Sequence, residues 1–132
     1  KNIFAKEPGY AKFPALYCGK RKNGKIMSLK YKLSRGIIYK NGRWIQKNEY
    51  MQSIGKENSL TILAKGRIIS FVAESLNKNP IKVKIKLDNN CLKYQIINEP
   101  GLYTIVNLKG NKQHKLSITA SRDLAVYSFS FQ

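Results

Sequence analysis

A chain of 132 residues with 42% hydrophobic content can bury one core without disulfides or metal, so a single domain is expected. No run approaches the roughly 18 apolar residues that a membrane helix needs, and no charged-then-apolar leader stands at the amino terminus, which predicts a soluble chain. The formal charge of +18 points toward phosphate backbones, anionic lipid headgroups or acidic glycans. Part of that charge reflects composition, since lysine far outnumbers arginine in a chain also rich in Asn and Ile. Nucleic-acid readers rely on arginine forks, and Arg21, Arg35, Arg43, Arg67 and Arg122 are few for that work, which argues against nucleic acid. The opening residue is Lys1 rather than methionine, as expected of a processed form or a piece of something longer.

Residues 1–12 are polar and are expected to form a loose arm, with one β-sandwich domain over 13–132. From there the dominant period is two, the mark of strands with one buried and one wet face. Strands are expected at 13–19, 25–33, 36–40, 43–47, 49–54, 59–64, 67–73, 80–87, 92–97, 102–107, 115–120 and 125–131. Alternation is clean in Leu29-Lys30-Tyr31-Lys32-Leu33 and in Ile81-Lys82-Val83-Lys84-Ile85-Lys86-Leu87, where the odd residues point inward. In the last strand it places Tyr127, Phe129 and Phe131 on one face. Asn23-Gly24 and Asn41-Gly42 carry hairpin-turn chemistry, and Lys65-Gly66, Asp88-Asn89-Asn90, Glu99-Pro100-Gly101 and Gly110-Asn111 mark further reversals. Many short strands with reversals every 8 to 12 residues give an all-β fold, an antiparallel β-sandwich or jelly roll.

Catalysis has little raw material. Gly19-Lys20-Arg21-Lys22-Asn23-Gly24-Lys25 has the spacing of a phosphate-binding loop, but Ile26 stands where Ser or Thr should hold magnesium, and a strand follows where a helix should. A basic turn is the reading that remains. His114 is the lone histidine and lies in a turn-like stretch. Glu7, Glu49, Glu57, Glu74, Asp88, Glu99 and Asp123 are scattered, with no spacing that predicts a glycosidase couple or a metal site. No cofactor is expected.

Cys18 and Cys91 form no C-x-x-C, so an intrinsic thioredoxin-type redox centre is excluded. Cys18 reads either as a buried free thiol or, in an oxidising compartment with the two strands adjacent, as the disulfide partner of Cys91. Such a bridge would stabilise by about 4 kcal/mol. The aromatic count raises the question of a sugar platform, because rings stack on sugar faces while amides meet the hydroxyls. Trp44, Tyr39 and Tyr94 are the candidate ligand-binding residues. Lys82, Lys84 and Lys86 are the candidate basic surface.

In order along the chain, seven segments resemble the carboxy-terminal domain of DipZ-type and related extracytoplasmic thioredoxin-family proteins. Phe13-Pro14-Ala15-Leu16-Tyr17-Cys18-Gly19 is similar to a T-P-E-x-Y-x-G entry, and Gly42-Arg43-Trp44 to G-x-W. Leu60–Ala64 with Ile68–Val72 resembles the strand pair around F-x-A-(R/K). Val83–Asp88 resembles a strand ending in D-G, with Asn89 in place of glycine. Glu99-Pro100-Gly101-Leu102-Tyr103-Thr104-Ile105-Val106 is similar to E-x-R-L-Y-x-L-V, His114-Lys115-Leu116-Ser117-Ile118 to H-x-L-x-I, and the ending Ala125–Phe131 to A-Y-x-F-T-F-G, with Gln132 replacing the glycine.

The resemblance implies a β-sandwich like a carbohydrate-binding module, placed beside a separate thioredoxin-like domain that holds the redox cysteines. The expected function is a non-catalytic accessory or ligand-binding module, with carbohydrate as the candidate ligand, of an extracytoplasmic, periplasmic or secreted thiol-disulfide oxidoreductase. Its partners would be a thioredoxin-like domain in the same or a neighbouring chain and a glycan or cell-envelope polymer. The alternative is a cationic module that binds nucleic acid or an anionic cell-envelope polymer.

Overall fold

The computed structural model describes residues 15–110 and 112–132. The expected arm at 1–12 and the first two residues of the expected strand 13–19 lie outside the described residues. Twelve strands follow in order: β1 (Leu16–Tyr17), β2 (Ile26–Ser28), β3 (Ile38–Asn41), β4 (Trp44–Gln46), β5 (Met51–Ser53), β6 (Asn58–Lys65), β7 (Ile68–Ser75), β8 (Ile81–Leu87), β9 (Asn90–Ile97), β10 (Gly101–Asn107), β11 (Gln113–Ala120) and β12 (Leu124–Phe131). They form two sheets. The first runs β10-β7-β12-β5-β4, with β1 also pairing β12, and the second runs β2-β3-β6-β11-β8-β9. All pairings are antiparallel except β2 with β3.

The core lies between the sheets and follows from the period of two. Leu60, Ile62 and Ala64 of β6, Leu116, Ile118 and Ala120 of β11, and Ile81, Val83 and Ile85 of β8 face Ile69, Phe71 and Ala73 of β7 and Leu124, Val126, Phe129 and Phe131 of β12. Phe71 stacks on Phe129, with centroids 6.1 Å apart and ring planes 17° from parallel. Burying a side chain of this size contributes roughly 1.5–3 kcal/mol, so these alternating positions dominate the fold's stability.

Three local expectations are corrected. Asn41-Gly42 is a turn with Gly42 at φ +87°, but it is not a hairpin, because β3 belongs to the second sheet and β4 to the first. Asn23 likewise adopts a left-handed φ of 58° while the chain passes from β1 in one sheet to β2 in the other. Turn residues specify a reversal, and which sheet receives the next strand depends on where its apolar face is covered. Residues 29–33 alternate in sequence but form no strand, with Tyr31 fully exposed.

In β12, one extra residue intervenes between the pairs Val126↔Ala73 and Ser128↔Val72. This β-bulge at Tyr127 inverts the parity of the strand, so Leu124 and Val126 face inward before it, and Phe129 and Phe131 after it. Tyr127 therefore lies on the opposite face from the two phenylalanines.

Candidate ligand-binding face

The bulge turns Tyr127 onto the outer face of the first sheet, where its hydroxyl donates to Glu74 Oε2. Its ring packs on Tyr50 at 5.1 Å between centroids, the planes tilted by 53°. Glu74 opposes Ala125 in register and points outward, whereas its neighbours Ala73 and Ser75 are buried. Burial first, then the hydrogen bond and negative charge of Glu74, raise the Tyr127 phenol well above its ordinary range. It stays neutral and remains a donor.

Tyr17 joins this face through β1. Leu16 opposes Phe129 and packs on the core, so Tyr17, opposite Ser128, points outward with 44% of its surface exposed. Beyond it the basic turn is a single 3-10 turn, Lys20–Lys22, and no helix opens. It is tied to the β4–β5 turn by Lys20 N donating to Lys47 O and Arg21 N to Asn48 O, both at 2.9 Å, and by an Arg21–Glu49 ion pair at 2.7 Å. Gln46 Nε2 donates to Cys18 O at 3.0 Å and to Gly24 O at 3.1 Å. The two glycines of this segment have a steric role. A Cβ on Gly19 would stand 2.3 Å from Asn48 O, and one on Gly24 2.5 Å from Tyr17 O. Their spacing allows close backbone approach, not a phosphate cradle.

A hollow of about 150 Å³ results, lined by Tyr17, Gly19, Lys22, Glu49, Tyr127 and Ser128. Lys22 Nζ lies 5.5 Å from the Tyr17 ring centre. A larger hollow of about 450 Å³ is lined by Glu74, Ser75, Lys78, Asn98, Glu99 and Pro100. The Tyr127–Glu74 pair thus stands between two hollows, offering aromatic surface, carboxylate acceptors and an ammonium donor together.

The residues singled out in the sequence fall elsewhere. Tyr39 is 0% exposed, its hydroxyl accepting from Ser34 N at 2.7 Å, and Trp44 is 7% exposed, its Nε1 donating to Asn41 O and Ser59 O at 3.1 Å. Neither has a ring face to offer a sugar, so both are corrected to structural roles. Tyr94 is 52% exposed on β9, at the edge of the other sheet. Lys82, Lys84 and Lys86 project from β8 away from the buried Ile81, Val83 and Ile85. Of the two readings open for Cys18, the buried free thiol holds and the Cys18–Cys91 bridge is not formed. Cys18 is buried beside β12 and Cys91 exposed on β9, and both are free thiols. Burial pushes the Cys18 thiol far above its ordinary range and leaves it inert.

His114 Nδ1 meets Asp88 Oδ2 at 2.6 Å, and Asp88 Oδ1 accepts from Lys115 N at 2.9 Å. The pair fastens the β8–β9 turn to β11. Among the described residues no three His, Cys, Asp or Glu side chains gather as a metal would require, and no helix is long and apolar enough to cross a membrane. Tyr17, Tyr50, Tyr127, Glu49 and Glu74 were missed as a group. The adjacent apolar pair Ala125-Val126, which breaks strict alternation before Tyr127, was the available signal.

Two packed sheets with an aromatic and carboxylate-bearing outer face define the chain as an all-β sandwich. The family model of the thioredoxin like C-terminal domain matches residues 17–131, and the chain belongs to that family. No curated protein matches it in sequence. Among solved structures, a family two carbohydrate esterase from Clostridium thermocellum, in complex with cellohexaose, is similar over 72% of this chain and 31% of its own, at 16% identity and a TM-score of 0.65. The family two carbohydrate esterase from Cellvibrio japonicus matches over 71% and 30%, at 14% identity and 0.63. An acetyl xylan esterase from the rumen bacterium Butyrivibrio proteoclasticus matches over 72% and 28%, at 10% identity and 0.60. This chain spans less than a third of each neighbour's length, and the likeness shows the sandwich fold.

Proposed function

We propose that this chain is a non-catalytic accessory module that binds a neutral glycan on the outer face of its first sheet. It serves an extracytoplasmic thioredoxin-like oxidoreductase domain in the same or a neighbouring chain. The observation that carries the reading is the open hollow lined by Tyr17, Glu49 and Tyr127, with Tyr50 packed on Tyr127 and Glu74 bonded to its hydroxyl. Tyrosine faces stack on the C–H faces of sugar rings while carboxylates accept from hydroxyls, and the same carboxylates repel acidic glycans. Membership of the family supports a thioredoxin-like partner. The inert Cys18 and solitary Cys91 are consistent with redox chemistry residing in that partner.

The test is calorimetric titration with neutral oligosaccharides, cellohexaose and xylo- and manno-oligosaccharides among them. Binding with Kd of about 1 mM or tighter is expected for at least one, weakened about tenfold or more by Tyr17→Ala and by Tyr127→Ala. Absence of binding across the panel, or binding indifferent to both substitutions, would contradict the reading. A second reading, a cationic module for nucleic acid or an anionic cell-envelope polymer, draws on Lys82, Lys84 and Lys86 and has steep salt dependence as its hallmark.

A further inference from the structure

The outer face of the second sheet differs from that of the first. Lys84 opposes Tyr94 and Lys82 opposes Ile96 in register, so these four side chains share one face, and Lys86 continues the row. On the next strand Ser117 opposes Lys86 and Thr119 opposes Lys84, and Lys115 lies on the same outward parity. Among the described residues, the outward positions of β6, β11, β8 and β9 hold no Asp or Glu. Leu92, Tyr94 and Ile96 are 48%, 52% and 51% exposed along β9, whose outer edge pairs with no strand among the described residues. Lys82 Nζ lies 4.5 Å from the centre of the Tyr94 ring.

We propose that this face docks on an anionic lipid bilayer, β8 supplying the charge and β9 the side chains that enter the headgroup layer. The division of labour suits an interface. Ammonium groups at the ends of long stems meet phosphates, a tyrosine sits at headgroup depth, and leucine and isoleucine leave water for the acyl boundary. A soluble polyanion satisfies the lysines but leaves Leu92 and Ile96 in water. Nucleic acid favours arginine forks and stacked aromatic rings, whereas among the described residues this face has no arginine and one exposed ring, with the Lys82 ammonium above it. Binding here is independent of glycan binding on the first sheet.

The experiment is co-sedimentation of the chain with vesicles of phosphatidylcholine alone and of phosphatidylcholine mixed with phosphatidylglycerol. Binding to the mixed vesicles alone is expected. Each lysine near the surface is worth about fivefold in partition, so replacing Lys82, Lys84 and Lys86 together by glutamine weakens binding about a hundredfold. Tyr94→Ser with Ile96→Ser weakens it about tenfold or more without changing net charge. These side chains are outward, and an unchanged circular dichroism spectrum checks the fold. No binding to anionic vesicles overturns the proposal. So does binding that the serine variant leaves unchanged, which is the behaviour of a simple polyanion surface. Binding confined to a thioredoxin-like domain or to DNA, with no vesicle bound, overturns it as well.

Discussion

Asn58 is 1% exposed and has every hydrogen-bonding position of its amide occupied. Oδ1 accepts from Arg43 N at 2.9 Å and Gly55 N at 3.1 Å, while Nδ2 donates to Gly55 O at 2.9 Å and Ala120 O at 3.1 Å. It therefore joins the β5–β6 turn, the start of β4 and the end of β11 across both sheets. Asn58→Ala strands these partners, and a loss of about 3 kcal/mol in urea denaturation is expected. Asn41→Ala, which removes an acceptor only from the exposed Gly42 N, should cost less than about 0.5 kcal/mol. Equal effects would contradict the assignment. Nothing in the sequence distinguishes Asn58 from the chain's many other asparagines, because its partners come from distant segments. Tyr39 and Trp44 failed as ligand residues for the same reason, since aromatic identity says nothing of burial.

At the scale of elements, β8 was legible because a strand with one dry and one wet face writes its geometry into strict alternation. β12 was legible as a strand but not in its facing, since the bulge at Tyr127 depends on the register with β7. The β8–β9 turn shows what turn chemistry does deliver: Asp88 and Asn89 take φ of 50° and 71°, as a two-residue hairpin requires. Asp88 also anchors that turn to β11. The hydrogen bond from His114, above all, lowers its carboxyl below the ordinary 3.8, with that from Lys115 N adding to it. A carboxyl depressed on folding stabilises fully above its unfolded value and loses that contribution as pH falls through its folded one. Asp88→Asn, which tolerates positive φ, should thus lower the melting temperature at pH 6, with the gap to the parent closing as pH falls below 3.8. A gap that persists or widens in acid would contradict the role given to the charge.

The whole molecule separates two surfaces that the composition merged. The first sheet gathers Tyr17, Tyr50 and Tyr127 with Glu49 and Glu74, and the second presents lysines beside Tyr94 and Ile96, with no Asp or Glu at the described outward positions of β6, β11, β8 and β9. Fold class and family could be read from the sequence because they rest on patterns distributed along the entire chain. The candidate face could not, because it exists only once β1 pairs with β12 and the 3-10 turn docks on the β4–β5 turn. The most direct test is a 1H–15N NMR titration with a neutral oligosaccharide that binds. Shifts are predicted at Tyr17, Lys22, Tyr50, Glu74 and Tyr127, with the amides of Tyr39 and of residues 82–86 unmoved. Shifts concentrated on β8 and β9, with Tyr17 and Tyr127 still, would contradict the account.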